Sequence, residues 1–240
     1  MAKPKVEIII EVSTNHGGNP TLAREFIDRF VEAGADTIKF QYYSVDNLRA
    51  GDPQHDWFAR AWMSLDTLHE MAEYTRKQGK AFLCTAYHAK HVWAVQALGQ
   101  GRIKIGSGEA HQKDIATELA LHPEVRALVS DGIRPVHDSY KANKHSVLAC
   151  VSRYPGPRGL ASLKLQSPLY VGWSDHSIGL DECGVAINLG VRIVEVHGCL
   201  RQQARPVQLF EKSPDHIKEL RRMADEDPER FLGRWQRKPH

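Results

Sequence analysis

Several features that direct a chain to a membrane or out of the cell are missing from this sequence. It has no run of about 18 consecutive apolar residues, so no membrane-spanning helix is predicted. Its first residues are polar and lead into a strand-like segment, without the apolar stretch of about 7–15 residues found in signal peptides. Its four cysteines include no C-x-x-C pair and fit no zinc-site spacing, which favours reduced thiols and a reducing compartment. We therefore expect a cytoplasmic protein.

A strong excess of either charge is also missing. The formal net charge is +3 with 25% charged residues, so electrostatics give no case for binding nucleic acid or an anionic membrane. The apolar fraction of 42% is typical of an ordinary globular protein. The length of 240 residues suits one barrel of eight strand–helix units, which needs about 250 residues, and leaves no room for an appended domain.

Short apolar and β-branched segments recur along the chain at fairly even spacing. There are eight of them, and each is typical of a strand that is buried on both faces. The predicted strands cover residues 7–13, 37–42, 81–87, 103–108, 126–132, 146–152, 169–175 and 193–199. Helical patterns fill most of the gaps. The first of them opens with Asn19 as N-cap and Pro20 as first helical residue.

Eight alternating strand and helix units favour a (β/α)₈ TIM barrel over an open, doubly wound α/β sheet. An open sheet usually carries a glycine-rich phosphate loop after its first strand, whereas residues 13–18 read Ser-Thr-Asn-His-Gly-Gly. No linker divides the chain, so a single domain is predicted over residues 1–240. The fifth helical unit, residues 133–145, has few apolar residues and is expected to be shortened. The tail from about residue 234 is expected to be frayed.

Polar side chains occupy the C-terminal ends of several predicted strands. Because alternate strand residues face the same side, Lys39 and Gln41 share one face, and Glu195 and His197 share another. A single residue of this kind is more often part of a structural ion pair than a catalyst. The whole set, however, meets at one barrel mouth, where barrel enzymes have their active sites and where buried charges need partners or ligands. Its charged and histidine members are Glu11, Lys39, Lys104, Glu109, His176, Glu195 and His197.

Small residues end two further strands, in the turns Ser107-Gly108 and Ser130-Asp131-Gly132. Such turns let backbone N–H groups and hydroxyls approach an anion. Each turn alone is a weak signal, because Ser-Gly turns are common. With Lys39 and Lys104 as nearby cations, they indicate a candidate phosphate site.

Seven short motifs make the chain resemble the sialic acid (N-acetylneuraminate) synthases and related nonulosonic acid synthases. They follow the family's order between about residues 7 and 200, and together they are highly specific. The motifs are Glu11-Val-Ser-Thr-Asn-His-Gly-Gly18, Lys39-Phe-Gln41, Phe82-Leu-Cys-Thr85, Lys104-Ile-Gly-Ser-Gly-Glu109, Cys150-Val-Ser-Arg-Tyr-Pro155, Gly172-Trp-Ser-Asp-His-Ser177 and Glu195-Val-His197. The resemblance implies a barrel that condenses phosphoenolpyruvate with the aldehyde of an N-acetylated aminosugar and releases phosphate.

The resemblance also assigns expected roles to individual residues. His176 and His197 match two metal-binding histidines, and the expected ion is Mn²⁺, with Mg²⁺ or Co²⁺ as alternatives. Glu11, Glu109 and Glu195 are the expected catalytic carboxylates. The other matched residues are expected to contact phosphoenolpyruvate or the small aminosugar. They are Lys39, Gln41, Thr85, Lys104, Ser107, Ser130, Gly132, Ser152, Tyr154 and Ser174.

The sequence departs from the family pattern in three places. The family carries a C-terminal antifreeze-like domain that caps a partner's barrel, and this sequence ends at His240 without one, which leaves open a homodimer or a separately encoded cap domain. Residues 201–213 replace a Gly-Pro-Asp-His stretch that helps bind the sugar. The turn after strand five reads Ser130-Asp-Gly-Ile133 instead of Ser-Thr-Gly-Met.

Two alternatives to a sialic-acid-type synthase follow from these departures. One is another metal-dependent aldolase or lyase on the same scaffold, with a different acceptor. The other is a non-catalytic barrel subunit. The retained Glu11, Lys104, Glu109, His176 and His197 argue against an inactive subunit, because a dead site has no need of them.

Overall fold

A computed structural model describes residues 5–48, 51–142 and 145–226 and contains eight parallel strands. The sheet closes on itself in chain order, and the first strand pairs with the eighth. The strands are β1 (Glu7–Glu11), β2 (Thr37–Tyr42), β3 (Ala81–Ala86), β4 (Arg102–Ile105), β5 (Arg126–Asp131), β6 (Ser146–Cys150), β7 (Tyr170–Asp175) and β8 (Ile193–His197). The predicted single-domain (β/α)₈ barrel is therefore confirmed.

Helices cover the outside of the barrel and alternate with its strands. They are α1 (Pro20–Glu32), α2 (His55–Ala61), α3 (Leu65–Lys77), α4 (Val92–Leu98), α5 (Lys113–Ala120), α6 (Asp138–Ala142), α7 (Leu160–Lys164), α8 (Asp181–Asn188) and α9 (Pro214–Asp225). The expected shortening of the fifth unit is confirmed, since α6 has only five residues. The sixth unit is equally short, because α7 also has five.

Helix starts follow the signals in the sequence. Asn19 caps α1, and its side chain accepts hydrogen bonds from the backbone N–H groups of Thr21 and Leu22. Ser64 caps α3 in the same way. Ser213 caps α9 and forms a reciprocal capping box with His216. These caps fix the points at which the loops of the barrel mouth return to the outer layer.

The barrel interior is layered. A middle layer of buried apolar side chains fills the centre and consists of Ile9, Leu83, Leu128, Leu148 and Ile193. Each of these residues lies two positions before a residue of the barrel mouth, so the next inward-facing side chain on the same strand belongs to the mouth. The apolar layer is the floor of the mouth and separates it from the opposite end of the barrel.

Three other expectations concern features outside the barrel mouth. The four cysteines, which were expected to be reduced thiols, are free and buried. Of the helices in the described ranges, none has the length and apolar character needed to cross a bilayer. The frayed tail predicted from about residue 234 lies outside the described residues.

Candidate active site

A cavity of about 260 Å³ opens at the C-terminal ends of the strands. Its walls carry every side chain that the sequence placed in the site, whereas Gly132 lies just behind the wall. The predicted residues that line it are Glu11, Lys39, Gln41, Thr85, Lys104, Ser107, Glu109, Ser130, Ser152, Tyr154, Ser174, His176, Glu195 and His197. Residues predicted from strand parity and residues expected from the family resemblance therefore lie around one contiguous cavity.

The centre of the cavity is a buried network of charges. Lys39 Nζ lies 2.7 Å from Glu11 Oε2 and 3.2 Å from Glu195 Oε1. Ser174 donates a hydrogen bond to the same Glu195 oxygen at 3.1 Å, and Gln41 donates to Glu11 Oε2 at 3.2 Å. The other oxygen of Glu195, Oε2, is buried and has no hydrogen-bond partner among the described residues. This orphan acceptor faces a site built to receive a further group.

The network fixes the charge of its members. Burial lowers the pKa of Lys39, but the carboxylates of Glu11 and Glu195 outweigh burial and raise it above its ordinary value. Burial raises the pKa of Glu195, but the ammonium groups of Lys104 and Lys39 lower it to about 2. Burial raises the pKa of the Glu109 carboxyl above the ordinary value, and the more distant ammonium groups of Lys104 and Lys39 lower it only in part. Glu195 is thus a fixed anion, whereas Glu109 is better matched to proton transfer.

Lys104 lies between this network and three serine hydroxyls of the cavity. We call the hydroxyls of Ser107, Ser130 and Ser152 the hydroxyl cradle. The Nζ of Lys104 donates to Ser130 Oγ at 2.7 Å and lies 3.8 Å from Glu195 Oε1. Burial lowers the pKa of Lys104, and Glu195 raises it in part. Ser107 follows β4 and Ser152 follows β6, on either side of the loop after β5. Both hydroxyls approach the position that a Cβ on Gly132 would take, at 2.6 and 2.4 Å. Glycine at this turn therefore leaves room for the cradle, which suits a phosphate or carboxylate group.

His176 and His197 form the wall next to the charge network. Their ring centroids are 5.2 Å apart. The Nδ1 atom of His176 lies 2.8 Å from the carbonyl oxygen of Val151 and donates to it in the tautomer that leaves Nε2 unprotonated. Nδ1 of His197 is buried without a hydrogen-bond partner in the described structure. Burial and the neighbouring His176 hold the pKa of His197 well below its ordinary value, so this ring is neutral.

These two rings fit the expected divalent ion. A carbonyl-bound Nδ1 on a ligating histidine is the usual support for a free Nε2 lone pair, and metal–nitrogen bonds of about 2.0–2.1 Å allow both rings to reach one ion. Among the described residues, no group of three or more histidine, cysteine, aspartate and glutamate side chains is placed to hold an ion. An ion at this position would be held by His176 and His197 and would need further ligands from water or substrate.

Besides Gly106 and Gly108, three residues line the cavity that were not among the predicted site residues, and strand parity would have found two of them. Tyr87 has the strand parity of Thr85, and Cys150 has that of Ser152. Ile133 follows the Ser130 turn and is more than half exposed at the rim. Burial and the carboxylates of Glu11 and Glu109 raise the pKa of Tyr87 well above its usual range, so its hydroxyl stays protonated.

Two further residues next to the histidine pair lie on the segment between β8 and α9, and no local pattern pointed to them. The ring of Phe210 packs against His197 and Tyr154, with centroids 5.2 and 5.1 Å apart. Lys212 is completely buried and reaches the end of β7. Both residues belong to the segment that replaces the family's sugar-binding stretch.

The same segment is fastened to the loop after β1. Arg205 Nε donates to Asn15 Oδ1 at 2.6 Å, and Arg205 Nη2 contacts Glu211 Oε1 at 3.1 Å. Asn15 Nδ2 donates to the same Glu211 oxygen at 2.9 Å. The Pro214–His216 stretch starts α9, as expected, and none of its residues lines the mouth cavity. Arg205 and Glu211 therefore join residues 201–213 to the loop after β1, and neither of them lines the mouth cavity.

Comparison with known proteins places these features in a family context. A model of the NeuB family matches residues 26–228. The N,N'-diacetyllegionaminic acid synthase of Legionella pneumophila is 26% identical, with 97% of this chain and 74% of the relative covered. The pseudaminic acid synthase of Campylobacter jejuni (serotype O:2) is 29% identical, and the match covers 80% of this chain but only 65% of that enzyme's length.

A solved structure gives the same picture for the fold. The N-acetylneuraminic acid synthetase of Leptospira borgpetersenii, determined in complex with citrate, superimposes with a TM-score of 0.81 at 23% identity. The match covers 98% of this chain and 88% of that one. At this level of identity the likeness establishes the barrel architecture alone.

Proposed function

The chain belongs to the NeuB family, and from this membership we propose that it condenses phosphoenolpyruvate with the aldehyde of a small aminosugar to give a sialic-acid-like nonulosonic acid and phosphate. The observation that carries the proposal is the placement of two buried lysines, a hydroxyl cradle and a histidine pair around one cavity. The named activities of the legionaminic and pseudaminic acid synthases support the same reaction class.

In this proposal Lys104, Ser130, Ser107 and Ser152 hold the phosphate and carboxylate of phosphoenolpyruvate. Charge-assisted hydrogen bonds from such groups fix the ligand's orientation, and orientation matters because its C3 carbon is a weak nucleophile that must lie about 3–3.5 Å from the aldehyde. A divalent ion on His176 and His197, with Mn²⁺ as the expected metal, supplies Lewis-acid polarisation of the aldehyde. Glu195 stays anionic between the two lysines and keeps them in position.

Water addition needs a base, and the mouth offers two carboxylates for that role. Burial raises the pKa of Glu109, which makes this carboxylate the stronger base of the two candidates. Glu11 is already engaged by Lys39 and Gln41. We therefore assign proton transfer to Glu109 and the orientation of Lys39 to Glu11. The protonated hydroxyl of Tyr87 is available as a donor to the acceptor sugar.

The test is incubation of the protein with Mn²⁺, phosphoenolpyruvate and N-acetylmannosamine, followed by phosphate release and product NMR. The Lys104→Met variant, purified in parallel, controls for contaminating enzymes. Turnover by the wild-type protein that is absent in the variant supports the proposal. Absence of turnover together with absence of phosphoenolpyruvate binding by calorimetry overturns it.

A second candidate is a metal-dependent aldolase or lyase with a different acceptor. The observation in its favour is that residues 201–213, where the resembling family has its sugar-binding stretch, form other contacts here, of Arg205 with Glu211 and of Phe210 with His197. Phosphoenolpyruvate binding without turnover of N-acetylmannosamine favours this candidate. A screen of aldehyde acceptors by phosphate release then identifies the acceptor class.

A further inference from the structure

Lys212 is a completely buried lysine that lies outside the mouth cavity. Its Nζ donates to the carbonyl oxygens of Ser177 at 2.6 Å and Phe210 at 2.9 Å, and it lies 3.1 Å from Asp175 Oδ2. The contact with Asp175 is an ion pair without hydrogen-bond geometry. Two of the three N–H donors of the ammonium group therefore bind carbonyl oxygens, and its charge is paired with the Asp175 carboxylate.

Each of these three contacts is made with a residue that adjoins one of the two histidines. Asp175 and Ser177 are the chain neighbours of His176 on either side. The Asp175 carboxylate is itself braced, because Oδ1 accepts from Trp173 Nε1 at 3.1 Å and from Ser177 Oγ at 2.8 Å. The ammonium group of Lys212 therefore fixes the backbone segment that carries the imidazole of His176.

The backbone of Lys212 does the same for the second histidine. Its N–H donates to the carbonyl oxygen of His197 at 2.8 Å, and its own carbonyl accepts from the N–H of Cys199 at 2.9 Å. This parallel bridge between Gly198 and Lys212 extends the end of β8 by one strand contact. Phe210, whose carbonyl Lys212 holds, packs its ring against His197.

We infer that Lys212 is a positioning residue that joins the ends of β7 and β8 and sets the distance between the imidazoles of His176 and His197 for one divalent ion. The inference rests on the metal site of the proposed function. An ammonium group is suited to this task because it binds a carboxylate and two carbonyl oxygens at once, whereas a neutral side chain of similar length leaves the Asp175 charge buried without a cation. Loss of such support around a metal ligand costs about 10–100-fold in metal affinity.

The test compares Lys212→Met with Arg102→Met. Arg102 forms an ion pair with Glu7 at 2.7 Å, at the opposite end of the barrel. Arg102→Met is the control because it too removes the cation of an ion pair, here a half-buried one far from the histidines. Mn²⁺ affinity is measured by titration of the free-ion EPR signal. Stability is measured by thermal unfolding without metal. The environment of the imidazoles is followed by long-range ¹H–¹⁵N NMR of the histidine rings. Lys212→Met is expected to lose about 10–100-fold in Mn²⁺ affinity and to shift the signals of His176 and His197. Arg102→Met is expected to lose stability with Mn²⁺ affinity unchanged.

A folded Lys212→Met protein with wild-type Mn²⁺ affinity and unchanged histidine signals overturns the inference. If Lys212→Met does not fold, Asp175→Asn replaces it, because the amide keeps the Oδ1 acceptor of Trp173 and Ser177 and replaces the anionic Oδ2 with an NH₂ group that cannot pair with Lys212. The same loss of affinity and the same signal shifts are expected, and their absence overturns the inference. If the wild-type protein binds no Mn²⁺, the metal part of the proposed function fails, and the histidine signals of the metal-free variants alone decide the role of Lys212.

Discussion

Glu11 and Lys39 occupy opposed positions on β1 and β2, and their side chains meet at 2.7 Å inside the barrel mouth. Both are almost completely buried. A buried pair of this kind forms only where further polar groups satisfy it, and here Glu195, Ser174 and Gln41 complete the network. The site is therefore preorganised before any ligand enters, with Lys39 shared between two carboxylates.

Replacement of Lys39 by methionine tests this sharing. The variant leaves Glu11 and Glu195 buried without their common cation, so we expect a loss of about 3–5 kcal/mol in the free energy of unfolding, measured by urea denaturation. The double variant Lys39→Met with Glu11→Gln also removes one of the two carboxylates left without this cation. It should recover part of the lost free energy of unfolding. A Lys39→Met protein within about 1 kcal/mol of wild type contradicts a shared cation.

Alanine substitutions at two glycines, Gly132 and Gly172, are expected to have different effects. The first should change ligand affinity and the second should change stability. A Cβ on Gly132 meets only side-chain ends, Ser152 Oγ at 2.4 Å and Ser107 Oγ at 2.6 Å. Because these ends rotate, Gly132→Ala should fold but reshape the cradle, and phosphoenolpyruvate affinity by calorimetry should fall about tenfold or more, which corresponds to about 1.4 kcal/mol.

Gly172 is the matched contrast. A Cβ there meets the backbone oxygen of Ile193 at 2.4 Å, which has no rotation available. Gly172→Ala should therefore lose about 1–3 kcal/mol or more of stability, measured by urea denaturation. Unchanged phosphoenolpyruvate affinity in Gly132→Ala speaks against the proposed cradle, and a Gly172→Ala protein of wild-type stability speaks against the close approach of β7 and β8.

The histidine pair gives a prediction about metal binding. His176→Ala and His197→Ala should each abolish metal-dependent activity and weaken Mn²⁺ binding, because a site with two imidazoles loses half of its protein ligands. His69→Ala, on the exposed side of α3, is the control and should bind Mn²⁺ like the wild type. Full Mn²⁺ affinity in either mouth variant places the metal elsewhere.

The barrel and most of its mouth could be predicted because both depend on local patterns. Successive residues of a strand point alternately into and out of the barrel. Lys39, Glu195 and His197 could therefore be assigned to the inner face from the sequence alone. The end of the first strand was harder to predict. Residues 7–13 were expected, but β1 ends at Glu11 and Ser13 turns away with φ of 55°.

The contacts of residues 201–213 could not be predicted, because they join distant parts of the chain. Lys212 meets Ser177 across 35 positions, and Arg205 meets Asn15 across 190. Neither segment has a helical or strand period that would place its side chains. Such contacts depend on the closed barrel, which brings the loops after β1, β7 and β8 together.

The last prediction concerns the dependence of stability on pH. His16 is buried next to Phe40, and its Nδ1 accepts a hydrogen bond from the N–H of Gly18 at 3.0 Å. Burial lowers the pKa of His16 to about 4, although a backbone hydrogen bond to Ser13 raises it in part. Between about pH 6.5 and 4 the unfolded chain therefore binds a proton that the folded protein does not.

It follows that the stabilising contribution of a neutral His16 is complete above about pH 6.5 and is lost as the pH falls towards 4. The loss amounts to roughly 3 kcal/mol, at about 1.36 kcal/mol per pKa unit. In His16→Gln the free energy of unfolding should fall less over this range than in wild type, whereas the exposed-site control His69→Gln should follow wild type. Other buried histidines contribute equally to both curves, so the difference isolates His16. Parallel curves for His16→Gln and wild type, or an NMR titration of the His16 ring with a midpoint near 6.5, would contradict the prediction.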